Sequence, residues 1–101
     1  MPDCMSNERK QELCKVLASN LPTLRTKANL SQDELADRLG FSRQTISAIE
    51  NEKRDMQWST FSAIALYFAQ DDKIKRLMIA MEIINDDVEK TLNISKVKEQ
   101  K

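Results

Sequence analysis

Gly40 is the only glycine of the chain, and it divides two short segments whose apolar residues recur at helical spacing. Glycine takes a left-handed backbone at no steric cost, so this is where the chain can reverse most tightly. Leu35, Ala36 and Leu39 precede it, and Phe41, Ile46 and Ile49 follow it. These positions face one another once the chain has turned. Ser31 with Glu34 three residues on forms a capping box for a helix running to about Leu39, and Ser42 caps a second running to about Glu50. The stretch Ser31 to Asn51 therefore reads as two helices joined by a tight turn.

One glycine and two prolines in 101 residues are too few for the turns of a sheet protein. Met, Leu, Ile, Ala, Glu and Lys dominate instead, which favours an all-α fold. The length suits one domain with a modest core, and 41% apolar with 32% charged residues suits a soluble globule. No apolar run approaches the ~20 residues of a membrane helix. The N-terminus carries Asp3 and no apolar core segment, so no secretory signal is read there and a cytoplasmic location without membrane partners is expected. Cys4 and Cys14 do not form a metal-ligand spacing, and there is no histidine. With no nucleophile signature and no glycine-rich phosphate loop, neither catalysis, a cofactor nor a metal is expected.

Residues Asn7 to Ala28 read as helix, with Leu13, Leu17, Leu21, Leu24 and Ala28 on one side. Pro22 interrupts the run and leaves two outcomes open: one kinked helix, or a break with Ser19 or Asn20 capping a second. The Ser-Asn-Leu-Pro order favours a break or a sharp kink. Asn29 can end this helix in a left-handed conformation. Asn51 to Asp55 is a charged connector, followed by a helix over Trp58 to Ala69 with Phe61, Ile64, Ala65 and Phe68 inward. Asp71 or Asp72 caps a last helix, whose stripe of Ile74, Leu77, Met78, Met81, Ile84, Val88 and Leu92 has heptad-like spacing. That stripe either packs back on the domain or meets a second copy. Its length favours the second copy, making it a dimerisation element. The organisation expected is an N-terminal helical extension over 1–20, a core over 21–70, a C-terminal amphipathic helix over 71–94 and a flexible tail over 95–101.

The polar residues left on the turn-flanking helices suit phosphates and base edges. Arg43, Gln44 and Ser47 share the exposed side of the second helix. Arginine pairs two bonds with a guanine edge, and glutamine pairs both ways with adenine. Gln32, in the first turn of its helix, can join free backbone amides in holding a phosphate. Lys53 and Arg54 follow in the connector. Sixteen basic and sixteen acidic residues give no net charge, so attraction for nucleic acid must come from one face.

With these residues in view, the chain closely resembles the phage-repressor-like helix-turn-helix (XRE) family of bacterial and phage transcriptional regulators. The resemblance runs from about Leu21 to Phe68. It is carried by Leu24-Arg25, by Leu30 through Ala36, by Leu39 through Ser47, and by Ile49-Glu50-Asn51. It implies a five-helix DNA-binding domain, here extended at both ends, acting as a homodimer on double-stranded DNA and repressing transcription. By position it implies base contacts from Arg43, Gln44, Ser47 and Ala48. It implies backbone contacts from Gln32, Ser42, Thr45, Asn51, Lys53 and Arg54, and a structural ion pair between Arg25 and Glu50. The same fold also serves antitoxin-like modules, which would use the C-terminal stripe to hold a partner protein. The chain departs from the family pattern at Glu52, where relatives carry glycine, at Met56 in place of proline, and at Asn29 in place of glycine.

Overall fold

Serine, aspartate and asparagine set the starts of most helices in this chain. In the computed structural model, which describes residues 6–92, α1 spans Asn7–Lys27, α2 Gln32–Leu39, α3 Arg43–Glu50, α4 Trp58–Phe68, α5 Asp72–Ala80 and α6 Asp86–Leu92. No strand occurs among the described residues. Ser6, Ser31, Ser42 and Asp71 each accept a bond from a first-turn amide of the helix they precede. Asn85 does the same for Val88 at 2.9 Å. These bonds satisfy amides that the helix itself leaves unpaired.

Four helix ends share one solution. Asn29, Gly40, Glu52 and Glu82 have φ of 59°, 77°, 59° and 64°. After each, the next amide bonds the carbonyl five residues back: Leu30 to Arg25, Phe41 to Ala36, Lys53 to Ala48 and Ile83 to Met78, at 2.8–2.9 Å. Two of the four are glutamates, for which a left-handed backbone costs roughly 1–2 kcal/mol. Glu52 thus makes a left-handed reversal like that at Gly40, at the expense of local strain.

Pro22 does not break the first helix: of the two outcomes the sequence leaves open, a second helix capped by Ser19 or Asn20 does not form, and α1 continues through Pro22 as one element. The expected capping residues are used differently. Asn20 Nδ2 and Ser19 Oγ donate to the carbonyl of Val16, at 2.8 and 3.2 Å. Continuity is favoured by the buried row Leu13, Leu17, Leu21 and Leu24, all at most 1% exposed, which needs one unbroken face. That row packs with Leu35, Ala36, Ile46, Ile49, Phe61, Ile64 and Phe68 in a single core. Trp58 stacks on Phe61 with centroids 4.5 Å apart and covers one edge of it.

The expected single helix over 71–94 is instead two. The chain turns at Glu82, and α6 returns onto α5, where Lys75 Nζ lies 4.0 Å from Glu89 Oε2. Ile74, Met78, Ile84 and Val88 are buried in the common core, at 5%, 0%, 1% and 0% exposure. These four are therefore core side chains of the single chain, not an open stripe; Leu77 and Met81 remain half-buried. Cys4 and the tail over 95–101 lie outside the described residues.

The capping box of α2 has both of its bonds, Glu34 N to Ser31 Oγ at 3.0 Å and Ser31 N to Glu34 Oε1 at 2.9 Å. The bond from the Ser31 amide, helped by the Ser31 hydroxyl contact and the charge of Arg38, holds the Glu34 carboxyl below its ordinary value. A carboxyl depressed by folding stabilises above its unfolded pKa and loses that contribution as pH falls through its folded one. Urea titrations across the acid range are expected to show a stability loss that Glu34→Gln makes shallower, since the amide keeps an acceptor but does not titrate.

Candidate nucleic-acid interface

Three residues fix how α3 is held. Glu50, at the C-terminal end of α3, has a side chain only 4% exposed. Arg25 of α1 grips it in a two-pronged contact, Nε to Oε2 at 2.7 Å and Nη2 to Oε1 at 3.0 Å. The third guanidinium nitrogen donates to the carbonyl of Leu30 at 3.0 Å. Hydrogen bonding to Glu50 raises the Arg25 pKa against the opposing effect of burial, and the carboxylate's charge adds to the rise. Gln32 Nε2 also donates to Glu50 Oε1, at 2.9 Å. One buried carboxylate thus ties together the end of α1, the start of α2 and the end of α3. A fork-shaped donor on a carboxylate fixes direction as well as distance.

Held at this end by charge and along its length by Ile46 and Ile49, α3 turns its other side outward. Arg43 and Gln44 are exposed in its first turn, while Ser47 and Ala48 are half-buried one turn on. These four, with Asn51 and Lys53, border one shallow depression of about 240 Å³. Asn51 Nδ2 reaches Ser47 Oγ at 3.4 Å across its rim. Ser42 and Thr45 pair through their hydroxyls at 2.9 Å, and Ser42 Oγ also accepts from the Thr45 amide at 3.1 Å.

Not every expected site residue joins this group. The Gln32 amide nitrogen is turned onto Glu50, which leaves its carbonyl oxygen, an acceptor, as the atom not engaged there. Arg54 borders a different hollow, between α1 and the connector, and Glu52 lies beside it there. Glu52 is therefore not among the residues of the depression on α3. The bond from Arg38 Nη1 to the Tyr67 hydroxyl at 3.0 Å, between α2 and α4, was not foreseen either. No local pattern marks it, because its partners are 29 residues apart.

Among the described residues no group of histidine, cysteine, aspartate or glutamate could hold a metal ion. No helix of the described residues is long and apolar enough to cross a membrane. The geometry is that of a polar helix face carried outward on an apolar hairpin of helices, and it offers hydrogen-bond donors to a ligand. A family model described as a helix-turn-helix domain matches residues 18–80, well over half of the chain. Comparison with curated proteins and with solved structures gives no match. The match takes in α2, the turn at Gly40 and α3 together with the helices that support them, and it supports a DNA-binding, regulatory and non-catalytic role. The chain belongs to the helix-turn-helix domain family, which is consistent with the phage-repressor-type resemblance read from its sequence.

Proposed function

We propose that this chain is a sequence-specific regulator of transcription, a repressor, that inserts α3 into the major groove of double-stranded DNA. The observation that carries this reading is the gathering of Arg43, Gln44, Ser47, Ala48, Asn51 and Lys53 around one depression on the outward side of α3. In such a docking the N-terminal turns of the helix meet base edges while neighbouring polar groups hold phosphates. Arg43, Gln44, Ser47 and Ala48 take the first role. Ser42, Thr45, Asn51 and Lys53 take the second; the phosphate roles expected of Gln32 and Arg54 have less support, since the Gln32 amide nitrogen is turned onto Glu50 and Arg54 borders the other hollow.

The same reading takes the chain as a homodimer on paired half-sites. Of the C-terminal apolar stripe, Leu77 and Met81 are not fully covered by the domain, and Ile79 beside them is 41% exposed. These supply what apolar contact a second copy would make. The competing reading is an antitoxin-like module that holds a partner protein on the same stripe, and the burial of Ile74, Met78, Ile84 and Val88 narrows the surface left for either partner alike.

The test is binding at fixed salt to DNA from upstream of the chain's own gene, compared with random DNA, with sedimentation of the purified chain for its oligomeric state. Equal and weak binding to every sequence would remove the reading. Lys53→Ala is expected to weaken binding to all sequences alike and to make the plot of log affinity against log salt shallower by about one unit. A loss confined to one sequence would assign Lys53 to bases instead.

A further inference from the structure

A second hollow, about 730 Å³, lies between the N-terminal half of α1 and the connector leading to α4. Its volume falls in the range of small-molecule sites, about 300–1,000 Å³. Cys14, Ala18, Ile49, Met56 and Trp58 give it an apolar floor. Burial pushes the Cys14 thiol up to about 11, so the floor carries no charge near neutral pH. The walls are charged. Lys10 and Lys15 stand on α1, Lys10 with its ammonium 5.3 Å from the centre of the Trp58 ring, and Arg54 stands on the connector; Lys15 and Arg54 make no ion pair with any described residue. Glu52 and Asp55 also line the connector wall.

We propose that this groove binds a small amphipathic carboxylate, its apolar body on the floor and its single negative charge held by Lys15 and Arg54. The apolar floor selects for an alkyl or aryl body, since burying that surface supplies the driving force. Lys10, Lys15 and Arg54 against Glu52 and Asp55 leave the lining with one positive charge, which suits one carboxylate. Glu52 and Asp55 select against ligands of higher negative charge, such as phosphate esters, because like charges brought together repel. The proposal goes beyond the reading of α3 and does not depend on it.

Trp58 is the only tryptophan of the chain, so its fluorescence reports on the groove directly. Octanoate is the probe, added to the full chain without DNA. The expected result is a saturable change in Trp58 emission with half-saturation at about 1 mM or tighter. Octanol and octylammonium, which lack the negative charge, should need at least tenfold higher concentrations. Lys15→Glu should weaken octanoate binding at least tenfold, with Lys15→Arg retaining it. Lys15 is exposed, and circular dichroism checks that both variants keep their helices. An unsaturable response to octanoate, an equal response to octylammonium, or a folded Lys15→Glu chain that binds octanoate unchanged would each overturn the proposal.

Discussion

Glu50→Ala is expected to lower the unfolding free energy by about 3–5 kcal/mol, seen as a lower urea midpoint with little change in slope. The carboxylate is 4% exposed and the Arg25 side chain 17%, so water replaces little of what the substitution removes. The guanidinium would keep only its bond to the Leu30 carbonyl, and the Gln32 amide nitrogen would lose its partner. Removing one member of a buried pair is far more damaging than removing both, because the survivor keeps its burial and loses its compensation. Arg25→Met with Glu50→Leu should therefore destabilise less than Glu50→Ala alone. The double-mutant cycle would then show strong coupling between the two positions. A Glu50→Ala chain within about 0.5 kcal/mol of the parent would mean that the three-way contact contributes nothing net.

That contact also shows where sequence reasoning stops. Asn29 and Gly40 were legible as helix ends, and Ser31 with Glu34 as a capping box, because each is decided within five residues of chain. The spacing of Arg25 and Glu50 matched a family pattern, so their meeting could be expected by resemblance. Their sharing of Glu50 with Gln32 could not, since an amide side chain at a helix start serves a phosphate or a neighbour equally well until the third dimension is known. A break at Pro22 is what a local breaker suggests when it is weighed without the buried leucine row that runs through it. Glu82 carries no mark of a turn, and the residues on both sides of it point inward. One folded-back pair of helices thus left the same apolar spacing as one long helix. The placing of Arg54 on the groove beside α1, away from the depression on α3, likewise depends on how the connector leaves the Glu52 turn.

Arg43→Ala combined with Gln44→Ala is expected to abolish discrimination between an operator and random DNA while leaving the fold intact. The operator can be obtained by selecting from a random duplex library with the parent chain. Both side chains are exposed, and no bond from either to another described residue supports the domain, so the urea midpoint should hold within experimental error. Each good pairing to a base edge discriminates by roughly 1–3 kcal/mol, so the pair together predicts about 30- to 20,000-fold weaker operator binding. Adjacent contacts need not add, which makes the lower part of that range the safer expectation. Binding to random DNA should change far less, since Asn51, Lys53 and the hydroxyls of Ser42 and Thr45, to which the proposal assigns the phosphates, are untouched, and phosphate contacts carry no sequence information. This contrast separates the two roles assigned around α3. Lys53→Ala lowers every affinity together, whereas the Arg43 and Gln44 pair lowers one. If the double variant instead weakened operator and random DNA by the same factor, Arg43 and Gln44 would be backbone contacts, and base reading would have to be sought on another face of the domain.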